Sequence, residues 1–297
     1  MTLFSQKAYT KCILTGEHSV MRGADALVLP CFSFYTQFDY TQNDKSIEVF
    51  EKGFATQEEN AFLTALLHRL YPSLKGTLEI RKNLSQGTGL GGSAALSILL
   101  SKLLNFNKLI KEEDVLSTAI DFENIFHGGS TSGVDVYSVF YEKPMLFNKS
   151  TTPYFLNSSQ DFALYLFPLT TPSNSKKDIA QVAEFFKNYP SQGSLLDETM
   201  QKSTQIALKA YEQCNLLLLA NALDLTKECF EKWGLIQKEA KKSCDLLKEL
   251  GALSVKPTGS GGGGYLLSLW SDHETALKAS QKLPFSLIGL GAQTTSF

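Results

Sequence analysis

Apolar and polar positions divide the chain into stretches of different period. Over the first third the runs are short and rich in β-branched and aromatic residues: KCILTG (residues 11–16), ALVLPCFSFYTQFDY (26–40) and the alternating TLEIRKNL (77–84). Such runs predict strands, and this whole third is expected to be sheet. From Gly92 the period changes. Leu96, Leu99, Leu100, Leu103 and Leu104 fall at helical spacing, and after a polar break Val115, Leu116, Ala119, Ile120, Phe122 and Phe126 do so again up to Gly128 and Gly129. A turn-rich stretch, residues 148–161, is the best candidate for a boundary between domains. Beyond it FALYLFPL (162–169) reads as a buried strand. Ser175 with Asp178 three residues on resembles a capping box opening a helix through Ile179, Val182, Ala183 and Phe186. Two or three long helices are expected from about Ser194 to Leu250, stopped by Gly251, and the chain then reads as strand, helix, strand. Two domains of α+β class follow, with residues 1–155 in one and 156–297 in the other.

Composition narrows the partners. A chain of 297 residues, 43% hydrophobic and 20% charged, can bury a large core. Its net charge of −2 offers no basic excess for nucleic acid or a membrane surface, so neither is expected as a partner and small ligands are. The five cysteines are odd in number, widely spaced and without a CxxC pair, which points to neither a disulfide framework nor a zinc site. The N-terminal residues carry no charged-then-apolar leader pattern, and the densest apolar run, residues 215–223, is far short of a membrane span. A cytoplasmic location is expected.

Candidate chemistry gathers in four segments. Gly87, Gly89 and Gly92 fit G-x-G-x-x-G between a strand and a helix, the local context of a dinucleotide fingerprint. A dinucleotide fold, however, needs a second parallel strand ending in an acidic residue about 20 residues on, and here Glu112, Glu113 and Asp114 open another helix. What remains is a loop whose glycines permit close backbone approach and whose helix start offers free N–H groups to an anion, with Ser93 placed to reach a metal held by the same phosphates. Glu17 and His18 leave a strand beside Gly16, with Lys11 upstream on it; surface decoration is the alternative. Glu123 near a helix end and Asp135 after a loop rich in Gly and Ser could meet a cation or substrate, or be an exposed helix residue and a helix cap. His127 also suits a helix C-terminus. Finally KPTGSGGGGYLLSL (256–269) sets five glycines in six residues directly before a core strand, more than a plain turn requires.

In this order the segments resemble the motifs of the GHMP small-molecule kinases, most closely those of the mevalonate kinases, along most of the chain. KCILTGEHSVMRG is similar to the family's N-terminal motif, GTGLGGSAA to its phosphate-binding loop with Gly92 in place of the first serine, and KPTGSGGGG to its C-terminal glycine loop. ENIFHGGSTSGVD resembles the family's Glu-x-x-x-His-Gly-x-Pro-Ser-Gly-Val-Asp, with one extra residue and no proline, and PSNSKK (172–177) its polar substrate-side segment.

The resemblance implies a two-domain GHMP kinase fold with the active site in the interdomain cleft. It implies Asp135 as the general base on the acceptor hydroxyl and Lys11 as the cation beside it. Gly87, Thr88, Gly89, Leu90, Gly91, Gly92, Ser93 and Ala94 would wrap the ATP phosphates, and Ser93 with Glu123 would hold Mg²⁺. Glu17, His18 and Ser175 would face a small hydroxy-acid substrate, and Thr258, Gly259, Ser260, Gly261 and Gly262 would support the nucleotide loop. A phosphorylated acceptor would call on Arg22 or the Lys176–Lys177 pair. The resemblance leaves a homodimer open.

Overall fold

The computed structural model describes residues 3–52, 57–129, 131–157 and 161–291. The chain forms two interleaved compact units. One takes residues 1–10, 34–86 and 91–141; the other takes 11–33, 87–90 and 142–297. The cut drawn from sequence, between residues 155 and 156, is a single point on the chain, whereas these units exchange it several times.

The first unit contains most of β1 (Phe4–Thr15) and of the long β2 (Ala26–Ser46), then β3 (Glu48–Lys52), α1 (Gln57–Leu70), β4 (Lys75–Lys82), α2 (Gly92–Phe106), α3 (Val115–His127) and α4 (Val134–Tyr141). β2 runs antiparallel to β4, with Phe38 opposite Ile80 and Tyr40 opposite Leu78, and β3 lies parallel to β4 on its other side. The alternation that predicted these strands is visible in the register: the apolar members of each pair share one face. That face meets α2 and α3 in a core of Phe38, Tyr40, Leu78, Ile80, Leu99, Leu103 and Phe122, all buried.

Helix α1 corrects the expectation that the first third is sheet throughout. A parallel pair such as β3 and β4 cannot be closed by a hairpin and needs a crossover, which α1 supplies. Leu63, Leu66 and Leu67 recur at helical spacing within it and are buried.

The second unit contains β5 (Met145–Phe147), β6 (Tyr154–Phe155), β7 (Leu164–Pro168), α5 (Ser175–Asn188), α6 (Pro190–Glu212), α7 (Leu216–Lys232), α8 (Lys238–Glu249), β8 (Ser254–Pro257), β9 (Tyr265–Leu269), α9 (His273–Ser280) and β10 (Ile288–Gly289). The expected strand over 162–169, three long helices and strand–helix–strand ending are therefore present, although residues 292–297 of the last strand segment lie outside the described residues. The sheet order is β10-β7-β9-β8, antiparallel throughout. Tyr165, Phe167, Leu247, Val255, Leu266 and Trp270 fill the core behind it.

At the start of α5 the capping box expected on Ser175 and Asp178 is not formed. Asn174 is the N-cap, its side chain accepting from the Lys177 N–H at 3.1 Å, and Ser175 is the first helical residue. The carboxylate of Asp178 is engaged elsewhere. Among the described residues no helix is long and apolar enough to cross a membrane.

Candidate active site

Strand β1 delivers Lys11 into the second unit almost fully buried. A lysine there must find acceptors, and its Nζ donates to the Gly89 carbonyl at 3.2 Å while its backbone N–H donates to the Leu90 carbonyl at 3.0 Å. Lys11 thus holds the glycine loop at residues 89 and 90.

The turn after β1 buries Glu17 and His18, so the surface alternative is excluded. Glu17 forms an ion pair with Lys256, a residue of β8 that is also fully buried; Lys256 donates in addition to the Pro257 carbonyl at 2.8 Å. Burial pushes the Glu17 carboxyl above its ordinary range and the charge of Lys256 pulls it back. Among the described residues only Oε1 of Glu17 is used, and Oε2 is buried without a partner. A buried carboxylate oxygen left so retains unused acceptor capacity.

His18 donates from Nε2 to the Ser260 carbonyl at 3.0 Å, which fixes the proton on that nitrogen. Its ring meets those of Trp233 and Phe230 edge-on at 5.3 and 5.7 Å. Burial lowers its pKa from 6.5 to about 4, the contact with Ser260 opposing the shift. Between these values the unfolded chain binds a proton that the folded chain does not, so stability is full above pH 6.5 and declines as pH falls towards 4. The loss reaches at most about 3 kcal/mol. Thermal melting of wild type and His18→Gln across this range checks it: the variant should show the flatter profile, and parallel profiles would remove His18 as a source of acid sensitivity.

The two glycine loops touch through their backbones. A Cβ placed on Gly259 would lie 2.5 Å from Gly89 Cα, and Gly259 has φ +60°, so only glycine permits this approach. Thr258 Oγ1 donates to the Thr88 carbonyl at 3.4 Å. Thr258 and Gly259 therefore lie directly against residues 88 and 89, and Ser260, Gly261 and Gly262 continue the same loop into β9.

In the first unit α2 begins at Gly92 behind Gly91, with no side chain capping its first turn. Its free N–H groups follow directly on the glycine loop, as an anion site requires. Ser93, in that turn, donates to Glu123 Oε1 at 2.9 Å, and Ser97 donates to Oε2 at 3.2 Å. His127, one turn beyond Glu123, places Nε2 at 3.0 Å from Oε1 and 3.2 Å from Ser93 Oγ. Glu123 is almost fully buried, which excludes the exposed-helix reading. Asp135 sits in the first turn of α4, half-buried, one residue inside the helix rather than at its cap. Ser175 is likewise half-buried.

The Ser93–Glu123 oxygens suit a hard cation. Among the described residues no three His, Cys, Asp or Glu side chains gather into a closed metal cage. Mg²⁺ does not need one, since it is commonly held by one or two protein oxygens together with substrate phosphates.

Sequence reasoning named the glycine loops, Lys11, Glu17 and Glu123, but gave no role to Lys256 and gave Asp178 only the capping role that it does not fill. A lysine beside Val255 in a run leading into a core strand was the available signal, because a cation there must be matched by a buried anion.

Residues 59–143 match the family described as GHMP kinases N terminal domain, and residues 210–288 match GHMP kinases C terminal. Together the two matches take more than half of the chain. The mevalonate kinase of Archaeoglobus fulgidus is 24% identical over 269 residues, covering 88% of this chain and 90% of that protein. In fold, the chain is similar to L. major mevalonate kinase, solved in complex with R-mevalonate, at TM-score 0.76 and 21% identity over 95% and 92% of the two chains. Streptococcus pneumoniae phosphomevalonate kinase, solved with phosphomevalonate and AMPPNP, shares the fold at TM-score 0.74 and 14% identity over 94% and 96%. The chain belongs to the GHMP kinases, with their two-domain α+β fold, and is a small-molecule kinase. Curated relatives at near full length are mevalonate kinases; the fold alone is shared with kinases of other acceptors.

Proposed function

We propose that this chain transfers the γ-phosphoryl group of ATP to the 5-hydroxyl of mevalonate, giving 5-phosphomevalonate and ADP. The observation that carries the reading is the mevalonate kinase relative aligned along about nine-tenths of both chains. The reading takes the acceptor as unphosphorylated, since Arg22, one of the cations named for an acceptor phosphate, already has an anionic partner. Its guanidinium is taken by Asp197 through two bonds of 2.6 Å and lies 3.9 Å from the centre of the Phe186 ring, so of the groups named for an acceptor phosphate only the exposed Lys176–Lys177 pair is left.

In this reading the acceptor oxygen attacks the γ-phosphorus in line, the bond from that phosphorus to the β,γ-bridging oxygen breaks, and ADP leaves. Asp135 receives the hydroxyl proton, late, as bonding to phosphorus acidifies the oxygen. Lys11 supplies positive charge to the transferring group and, through Gly89, keeps the loop in register. The N–H groups of residues 87–94 hold the phosphates. Ser93 and Glu123 would hold Mg²⁺, which would supply charge neutralisation at the phosphates. Glu17 Oε2, His18 and Ser175 face the acceptor. Such chemistry asks of a protein mainly positioning and charge compensation. A cytoplasmic, soluble enzyme is part of the proposal.

Glu123→Gln keeps the shape but removes a metal-binding charge, and should raise the Mg²⁺ concentration for half-maximal rate by roughly tenfold or more. An unchanged Mg²⁺ titration would remove Glu123 as a ligand. The substrate is tested by coupled ADP release with mevalonate, its 5-phosphate, galactose and homoserine. Turnover with mevalonate alone is the expected result; turnover confined to another acceptor would displace it.

A further inference from the structure

The carboxylate of Asp178 is 4% exposed and no cation pairs with it among the described residues. A charge so placed is costly unless donors converge on it, and three do. Its Oδ2 accepts from Ser260 Oγ at 2.6 Å, from Ser173 Oγ at 3.1 Å and from the Gly262 N–H at 3.3 Å. The two serine hydroxyls are themselves 2.6 Å apart. One carboxylate therefore ties together the segment before α5 and the glycine loop between β8 and β9.

Both tied segments press on the phosphate loop. Ser173 donates its backbone N–H to the Gly87 carbonyl at 2.7 Å, and Thr258 and Gly259 lie against Thr88 and Gly89 as described above. Lys11 holds the same loop from β1 through Gly89. On the far side of the glycine loop the fit to Asp178 leaves no room, since a Cβ on Gly262 would lie 2.2 Å from Asp178 Oδ1.

We infer that Asp178 is a positioning residue for ATP, fixing the glycine loop of residues 258–264 and the Ser173 turn, which hold the carbonyls of residues 87–89 so that the N–H groups of this loop stand in their phosphate-binding arrangement. The inference rests on the kinase reading, because it takes residues 87–89 to be part of the ATP site. Asp178 itself has no role in the chemical step. Hydroxyl and amide donors bond more strongly to a carboxylate than to a neutral acceptor, so an amide of the same shape should preserve the arrangement in part.

The test is titration calorimetry of the full chain with a magnesium-bound non-hydrolysable ATP analogue, paired with steady-state kinetics. Asp178→Ala should weaken nucleotide binding by roughly tenfold and Asp178→Asn by about threefold, the scale of a lost and of a weakened charge-assisted bond. KM for ATP should rise in step, while kcat at saturating ATP and KM for the acceptor stay within about twofold. Gly262→Ala should weaken nucleotide binding in the wild-type background and add little in the Asp178→Ala background, where the side chain it strikes is gone. A folded Asp178→Ala variant that binds the analogue as wild type does would overturn the inference. If that variant does not fold, Asp178→Asn and Gly262→Ala carry the test, and wild-type affinity in both would overturn it equally. Failure of the wild-type chain to bind the analogue would instead refute the kinase reading, and this inference with it.

Discussion

Asp135→Ala will lower the rate of phosphoryl transfer by about 10²- to 10⁴-fold, the usual worth of a positioned general base, and leave binding of magnesium-ATP close to wild type. The reason lies in where the residue sits. Asp135 is in the first turn of α4, half-buried, with the helix anchored in the first unit's core by Val136 and Val139. Truncating its side chain removes a carboxylate without opening that core, so under the proposed mechanism the loss is expected on the chemical step. Asp135→Asn sharpens the point: it keeps shape and hydrogen-bonding capacity but is a far weaker base, and should be nearly as slow as the alanine variant. Single-turnover rates with bound ATP measured alongside calorimetric affinity would separate the two effects. A variant that turns over at near the wild-type rate would remove Asp135 from the mechanism.

The second large effect is on stability. Lys256→Met will destabilise the protein by about 3–5 kcal/mol, because it leaves the Glu17 carboxylate buried without its countercharge. Lys256 is fully buried, bonds to Glu17 and Pro257, and sits 5.5 Å from the centre of the Phe230 ring. Removing one partner of such a pair costs far more than removing both. Glu17→Gln combined with Lys256→Met should therefore recover much of the loss, since a neutral amide opposite a thioether leaves no stranded charge. Thermal melts should show a fall in Tm of about 5–8 °C for Lys256→Met, with the double variant lying well above it. If the double variant melts below the single one, the pair itself is what stabilises this region, and the stranded-charge explanation fails.

Much of the fold was legible because periodicity is written locally. The strands of β2 and β4, helices α2 and α3, and the three long helices after Pro190 each carry their own apolar spacing. Helix α1 carried it too, in Leu63, Leu66 and Leu67, but it lies within a third of the chain dominated by strand-forming runs. The interleaving of the units was not legible, because long strands such as β1 and β2 pass from one unit to the other with no break in pattern. Glycine spacing located the two loops whose backbones meet, since close backbone approach demands that residue type. The partners of Glu17 and Asp178 were hidden for the opposite reason: Lys256 is 239 positions from Glu17 and Ser260 is 82 from Asp178. Nothing in a local window distinguishes a lysine matched to a distant glutamate from one facing water. The capping-box pattern at Ser175 and Asp178 misled in the same way, because Asn174 competes for the cap and distant hydroxyls compete for the carboxylate.

The assignment of acceptor and position is tested most directly by following the reaction with phosphorus NMR. Incubated with magnesium-ATP and R-mevalonate, the enzyme should convert the γ-phosphate signal one-for-one into a phosphomonoester resonance coupled to the protons of mevalonate C5, with an equal amount of ADP. ADP accompanied only by inorganic phosphate, or a phosphomonoester formed on a different acceptor while mevalonate is left unchanged, would contradict it.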